Sequence, residues 1–145
     1  MKLSTKGRYA TRILLCISRL EDDLPVSKKR ISEQEGISTD YIEQIIVPLK
    51  NTGLVTSVRG LRGGFRLAKN PADITVFDIL VASEGNINLV GCLAEGCSQS
   101  DSCVVQRVWQ GASDVLQEYF SKITLKELHD DYIRRTADQP IMFNI

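Results

Sequence analysis

Three of the four cysteines lie close together and are the residues best suited to chemistry. Cys92, Cys97 and Cys103 form a C-x4-C-x5-C arrangement in a stretch that contains glycines. Three thiols this close in a cytosolic chain are rarely structural disulfides, because reducing compartments keep thiols free. Thiolate sulfur is a good ligand for soft metal centres. The spacing therefore predicts a metal or redox site that is built on thiols.

The residues leave the type of centre open. Structural zinc prefers four ligands and tighter C-x2-C pairs, and the single histidine, His129, lies far along the chain. Iron–sulfur clusters are held by thiolates and tuned by hydrogen bonds, which backbone N–H groups of a glycine-containing loop supply. A redox-active thiol loop without metal is the third interpretation. Cys16 lies beside the apolar stripe of a predicted first helix and is interpreted as a small buried hydrophobic residue.

The charges of the chain are strongly polarised. The 145 residues carry 18 Lys and Arg against 18 Asp and Glu, so the formal net charge is zero. Residues 1–70, however, hold 13 basic and 7 acidic residues, whereas residues 71–145 hold 5 and 11. A basic half suits a polyanionic partner, because each phosphate contact releases counterions.

The basic half contains the pattern of a winged helix–turn–helix. A helix over residues 28–35 ends at Gly36, a second helix capped by Ser38 or Thr39 runs to about Asn51, and a glycine-rich β-hairpin follows. The second helix is predicted to enter the major groove, and basic residues of the first helix and the hairpin to contact phosphates. A winged fold used only for protein–protein interaction is the alternative. The predicted DNA-contacting residues are Lys28, Lys29, Arg30, Ser38, Thr39, Asp40, Tyr41, Glu43, Gln44, Arg59, Gly60, Arg62 and Arg66.

The acidic half contains the longest amphipathic segment. Its apolar face predicts a helix from Val104 to Lys122, followed by a short helix with a Thr124–Glu127 capping box that ends near Asp131. The fold class is therefore mainly α with a small β-hairpin. The predicted divisions are 1–85 for the winged domain, 86–103 for the cysteine loop, 104–131 for the two helices, and 132–145 for a tail.

Several functional classes are excluded by the pattern. No apolar run reaches the roughly 18 residues that span a membrane, and the polar N-terminal residues do not form a signal peptide. We therefore expect a cytoplasmic protein without membrane contact. There is no phosphate-binding loop and no recognisable pair of acid–base carboxylates, and a catalytic cysteine needs a nearby base. We predict that the protein is not an enzyme.

These motifs together resemble the iron–sulfur cluster regulator (IscR-like) family of bacterial transcription regulators. The resemblance covers about residues 1–131. It rests on the opening residues 1–10, the helix–turn–helix segments around Gly36 and Tyr41, the Val58-Arg59-Gly60 and Gly63-Gly64-Phe65 segments of the hairpin, the cysteine loop, and Trp109.

The resemblance implies a homodimer that binds a partly palindromic double-stranded DNA operator. It implies that Cys92, Cys97 and Cys103 hold an iron–sulfur cluster, with 2Fe–2S favoured over 4Fe–4S, and that Glu43 helps to discriminate between operator classes. It also implies dimerisation through the long helix. The residues expected to be buried against the partner helix are Val105, Val108, Ala112, Leu116 and Tyr119.

The chain departs from the family pattern at the fourth cluster ligand. Gln106 occupies the position of the histidine in the cluster regulator, and Arg8 occupies that of the carboxylate used by the branch that senses nitric oxide. The remaining candidates are Gln106, Asp101, His129, solvent or a small thiol. The alternative function is a winged-helix regulator whose cysteines sense oxidants or bind zinc without an iron–sulfur cluster.

Overall fold

The computed structural model describes residues 3–21, 24–95 and 102–137. Seven α-helices and one antiparallel hairpin form this part of the chain, with a 3₁₀ turn at Pro71–Asp73. None of the described helices is long and apolar enough to cross a membrane. The elements are α1 (Thr5–Leu20), α2 (Lys28–Glu35), α3 (Thr39–Asn51), β1 (Val55–Val58), β2 (Gly64–Leu67), α4 (Val76–Glu84), α5 (Cys92–Glu95), α6 (Gln106–Lys122) and α7 (Leu125–Ala137).

Hydrogen bonds between residues close in sequence set the ends of most helices. Ser4, Ser27 and Ser38 accept bonds from backbone N–H groups in the first turns of α1, α2 and α3. Helix α4 begins at a complete capping box formed by Thr75 and Asp78. Helix α2 ends at Gly36, whose φ of 66° is the left-handed conformation that favours glycine. The predicted fold class is confirmed.

A single apolar core connects the first three helices to the hairpin. Residues from α1, α3 and α4 fill it, among them Ile13, Ile45 and Ile79, each fully buried. Helix α3 continues through Pro48, which lacks a backbone N–H donor, and ends at Asn51. Because α3 packs on α1, α2 and α4, its orientation is fixed by the whole domain.

The hairpin is held to the helices by a bridge from the segment before α2. β1 and β2 pair antiparallel, with Val55 opposite Leu67 and Val58 opposite Gly64. Val26 exchanges two backbone hydrogen bonds with Phe65, of 2.9 and 2.8 Å between nitrogen and oxygen. The segment before α2 is thus attached to the hairpin by a single β-bridge at Val26.

The end of the chain departs from the prediction. The last helix was expected to end near Asp131 and a tail to cover residues 132–145, but α7 continues to Ala137. The Arg19 guanidinium stacks 3.8 Å from the Tyr132 ring centroid, so contact with α1 stabilises the extra turns. Leu125 is fully buried in the core of the winged domain. Helix α7 therefore packs on residues 1–85, although the predicted boundary groups it with α6.

Candidate nucleic-acid interface and thiol site

The predicted helix–turn–helix is present, with α3 in the position of the recognition helix. Gly36 turns the chain, the side chain of Ile37 is buried, and Ser38 caps α3 by accepting a hydrogen bond from the Tyr41 N–H at 3.3 Å. The turn thus anchors α3 through one apolar contact and one local hydrogen bond. The N-terminal end of α3 is left on the surface, as DNA reading requires.

The predicted reading residues of α3 differ in how accessible they are. Ser38, Asp40, Glu43 and Gln44 are exposed, whereas Thr39 is half-buried. The half-buried Tyr41 ring packs edge-on against Tyr9 of α1, with 5.9 Å between ring centroids. Tyr41 therefore helps to hold α3 on α1, and only part of its side chain is available to a partner.

One exposed residue of α3, Val47, is absent from the predicted DNA-contacting residues. Val47 lies one turn beyond Glu43 and Gln44, and 56% of it is exposed. Positions 40, 43, 44 and 47 follow the i, i+3, i+4, i+7 spacing of one helix face. That spacing was the signal that could have found Val47.

The three basic residues at the start of α2 are exposed, and two of them form ion pairs. Lys28 pairs with Glu43 of α3, so this contact connects the two helices of the motif. Lys29 lies 3.9 Å from Glu33 one turn along α2, in a contact that is largely open to solvent. Exposed pairs of this kind contribute little to stability, and phosphate contacts readily replace them.

The hairpin presents two of its three predicted arginines outward. Arg59 and Arg62 are exposed at the tip, where Gly60 has a φ of 115°. Arg66 instead lies half-buried, with its guanidinium 3.3 Å from a Glu21 carboxylate oxygen at the end of α1. Glu21 also accepts a hydrogen bond from the Leu67 N–H at 3.0 Å. In this structure Arg66 therefore anchors the hairpin to α1.

The cysteine loop is described at its two ends. Cys92 begins α5 and Cys103 precedes α6, and both are half-buried free thiols. Cys97 and Asp101 lie outside the described residues. The N–H of Gln106 donates to the Cys103 carbonyl at 3.2 Å, and both residues line a surface cavity of about 490 Å³. The proposed ligand Cys103 and Gln106, at the family's histidine position, are thus neighbours.

His129, a candidate for the fourth ligand, and Arg8, which occupies the position of the carboxylate in the nitric-oxide-sensing branch, both have hydrogen-bond partners. The Nδ1 atom of His129 lies 3.0 Å from the Ser18 hydroxyl, at the contact between α7 and α1. The Arg8 guanidinium donates to the Thr5 hydroxyl at 3.1 Å. Among the described residues, no three His, Cys, Asp or Glu side chains are grouped to hold a metal ion. Cys97 is not among these described residues.

Cys16 is separate from the loop and fully buried, as predicted. Burial and, to a smaller extent, the nearby Glu35 carboxylate raise the pKa of its thiol from 9.0 to about 11, against the opposing effect of Arg19. A thiol with a raised pKa is a poor nucleophile and a poor metal ligand at neutral pH. Cys16 therefore belongs to the core.

Helix α6 carries an apolar stripe that the described chain leaves largely uncovered. Val108 is 56% exposed and Tyr119 is 60% exposed, whereas Ala112 and Leu116 are half-buried. On its other side, α6 packs against α4. Buried Ser113 accepts a hydrogen bond at 3.2 Å from the Leu89 N–H, which connects the cysteine-loop segment to α6.

These features define a class: a winged helix–turn–helix transcription regulator with a thiol-bearing loop. The chain belongs to the Rrf2 family of iron-dependent transcriptional regulators, whose pattern it matches over residues 3–131. It is 37% identical to the HTH-type transcriptional regulator IscR of Photorhabdus laumondii, over 88% of this chain and 79% of that protein. Over the full chain it is 35% identical to the protein of the same name from Pectobacterium carotovorum, of which 96% is covered.

Solved structures give the same assignment. The fold matches T. potens IscR with a TM-score of 0.79 and 34% identity, covering 99% of this chain and 96% of that one. It also matches CymR, the global cysteine regulator of B. subtilis, with a TM-score of 0.74 and 35% identity over 90% and 97% of the two chains. These relatives are regulators and not enzymes, so the chain is an IscR-like, DNA-binding transcriptional regulator.

Proposed function

We propose that the protein is a cytoplasmic, homodimeric regulator whose operator binding is modulated by an iron–sulfur cluster held by Cys92, Cys97 and Cys103. The supporting observation is the pair of half-buried free thiols at the two ends of the loop, directly before α6. The relatives named IscR and the iron-dependent family support the same chemistry.

The donor set of the loop fits such a cluster. Thiolates are its usual ligands, and Cys92 and Cys103 are accessible enough to bind one and sheltered enough to protect it. When bound, the cluster supplies a centre that oxidants, nitric oxide or iron shortage destroy. Gln106 lines the same cavity as Cys103. Of the two described candidates for the fourth ligand, Gln106 and His129, it lies closer in sequence to the cysteines. We favour 2Fe–2S, and iron stoichiometry distinguishes it from 4Fe–4S.

Dimerisation is proposed through the apolar stripe of α6. Val105, Val108 and Tyr119 are each at least 50% exposed, and burying them against a second copy removes apolar area from water. A two-fold dimer would place two copies of α3 about one DNA turn apart, ~34 Å, as palindromic half-sites require.

The fold offers a route from the loop to the recognition helix. The loop joins α4 to α6, and the Leu89–Ser113 hydrogen bond fastens its first part to α6. Helix α4 packs on α6 at one side and on α1 and α3 at the other. Binding of a cluster to the loop therefore biases how α6, and with it the partner copy, lies relative to α3. Operator affinity then changes by the difference in operator-binding free energy between the cluster-bound and cluster-free proteins.

Anaerobic purification followed by an absorption spectrum and assays of iron and sulfide tests the cluster. We expect a brown protein, and loss of iron and colour in Cys92→Ala, Cys97→Ala and Cys103→Ala. Cys16→Ala is the matched control, since it removes a thiol that lies in the core, and it should retain iron. A colourless wild type that resists reconstitution would refute the iron–sulfur proposal while leaving DNA binding intact.

Sedimentation of two charge variants of α6 tests the dimer. Val108→Glu places a charge in the apolar stripe and should shift the protein to monomer, whereas Ser121→Glu alters an exposed position on the opposite side of the helix. Equal behaviour of both variants would contradict dimerisation through this stripe.

The second candidate function is thiol sensing or zinc binding without iron. It is favoured by Gln106, a poor iron ligand beside Cys103, and by the similarity to CymR of Staphylococcus aureus, for which a structure of an oxidized form exists. A colourless protein whose operator affinity falls on oxidation, or which contains stoichiometric zinc, would support this alternative.

A further inference from the structure

The exposed side of α3 carries one apolar residue among polar ones. At about 100° per residue, Val47 lies within about 20° of Asp40 and between Glu43 and Gln44 on the helix circumference. The buried residues of α3, Ile42, Ile45, Ile46 and Leu49, lie on the opposite side. Val47 therefore points away from the core in the same direction as the polar residues predicted to read bases.

Packing gives no reason for valine at this position. Val47 is 56% exposed, so burial in the core does not account for an apolar residue here. A β-branched residue is also among the weaker helix formers, because its side chain loses rotamer freedom in a helix. A single exposed apolar residue is ordinary on a protein surface, but this one extends the groove-facing stripe by one turn.

The major groove offers a matching apolar group. A helix in the groove reads bases with side chains spaced i, i+3, i+4 and i+7, the spacing of Asp40, Glu43, Gln44 and Val47. Only thymine presents a methyl group there, and apolar side chains recognise it by contact. Resting on the proposed function as a homodimeric operator-binding regulator, we propose that Val47 is a specificity-determining residue that contacts the C5-methyl of a thymine in each operator half-site.

The test uses an operator selected in vitro from random duplex DNA with the wild-type protein. Each thymine is replaced in turn by deoxyuridine, which removes only the C5-methyl, and the Kd is measured by fluorescence anisotropy at fixed salt. Replacing one particular thymine in each half-site should raise the Kd of the wild-type protein about four-fold, because burial of one methyl-sized group is lost. Val47→Ala should bind the thymine operator correspondingly more weakly, and it should be insensitive to deoxyuridine at that one position.

Controls separate this contact from other effects. Val81→Ala removes the same two methyl groups from an exposed valine of α4 and should retain the full response to deoxyuridine. The dependence of log Kd on log salt should be unchanged in Val47→Ala, because no phosphate contact is lost. Circular dichroism should show an unchanged fold, since Val47 lies outside the core.

Two outcomes would overturn the inference. If wild type and Val47→Ala lose the same factor at every deoxyuridine, Val47 contacts no thymine methyl. If Val47→Ala weakens binding but changes its salt slope or its dimerisation, the residue acts through another interface. Failure of the wild type to select any DNA would instead refute DNA binding itself, so the two proposals fail in distinguishable ways.

Discussion

Gly64 is the position at which a single added methyl group should separate the β1–β2 hairpin, the wing of the winged helix–turn–helix, from the helices. A Cβ atom added there would lie 2.5 Å from the Val26 carbonyl oxygen and 2.8 Å from the Ser27 nitrogen, closer than the 3.0 Å that real side chains keep. Both are backbone atoms, so no rotamer change relieves the overlap. The φ of Gly64 is not in the left-handed region, and the need for glycine comes from space alone.

The cost of Gly64→Ala follows from what must move. The Val26 carbonyl accepts a hydrogen bond from the Phe65 N–H at 2.8 Å, and the Val26 N–H donates to the Phe65 carbonyl at 2.9 Å. Opening this bridge sacrifices two hydrogen bonds of about 0.5–1.5 kcal/mol each. Ser27, which caps α2, also shifts. We expect a loss of about 2 kcal/mol in the free energy of unfolding, or roughly 6 °C in Tm.

Denaturant unfolding followed by circular dichroism measures this loss, at equal protomer concentration because dimerisation adds to stability. Ser57→Ala is the control within the hairpin, because Ser57 is exposed on β1 and its substitution adds no atom near Val26. It should leave the free energy of unfolding within about 0.5 kcal/mol of the wild type. DNA affinity should fall several-fold in Gly64→Ala, because Arg59 and Arg62 move with the wing. An unchanged denaturation midpoint in Gly64→Ala would refute the steric reasoning.

Three further predictions concern the core and its ends. Glu84→Ala should lower the free energy of unfolding by about 1–2 kcal/mol, because the Glu84 carboxylate accepts hydrogen bonds from the Ser4 hydroxyl and the Gly7 N–H at the start of α1. Thermal melts measure this loss, and comparison with Glu84→Gln, which keeps a hydrogen-bond acceptor but no charge, gives the contribution of the charge. In the folded protein Cys16 should resist iodoacetamide that modifies Cys92, as mass spectrometry of digests would reveal. Since the pKa of Cys16 is raised from 9.0 to about 11, the folded state holds this proton longer than the unfolded state. Stability should therefore fall from pH 9 to 11 by roughly 2 kcal/mol more in wild type than in Cys16→Ala, and equal pH profiles would contradict that shift.

Local sequence signals predicted the helical elements well. Helix caps are hydrogen bonds between residues two or three apart, so Ser4, Ser27, Ser38 and the Thr75–Asp78 box could be identified without tertiary information. The predicted end of α7 near Asp131 was wrong because local signals do not report contacts between distant residues. The last turns of this helix are stabilised by Tyr132 against Arg19, a contact between residues far apart in the chain.

The candidate sites divide in the same way. The types and spacing of the cysteines, and the basic residues of α2 and the hairpin, are properties of the sequence by itself, and so is the helical spacing that includes Val47. Contacts between residues that are distant in the sequence cannot be inferred from the sequence by itself. That Glu21 holds Arg66, that Tyr9 covers part of Tyr41, and that Lys28 meets Glu43 depends on how α1, α2, α3 and the hairpin pack together.

The sequence thus determined which groups are available for DNA and for a metal centre, because residue type and local periodicity are encoded within a few positions. Only the tertiary structure decided which of those groups are free to act. Arg66, for example, binds Glu21, which lies 45 residues away in the sequence. The two residues meet only because packing of the common core places the hairpin against the end of α1.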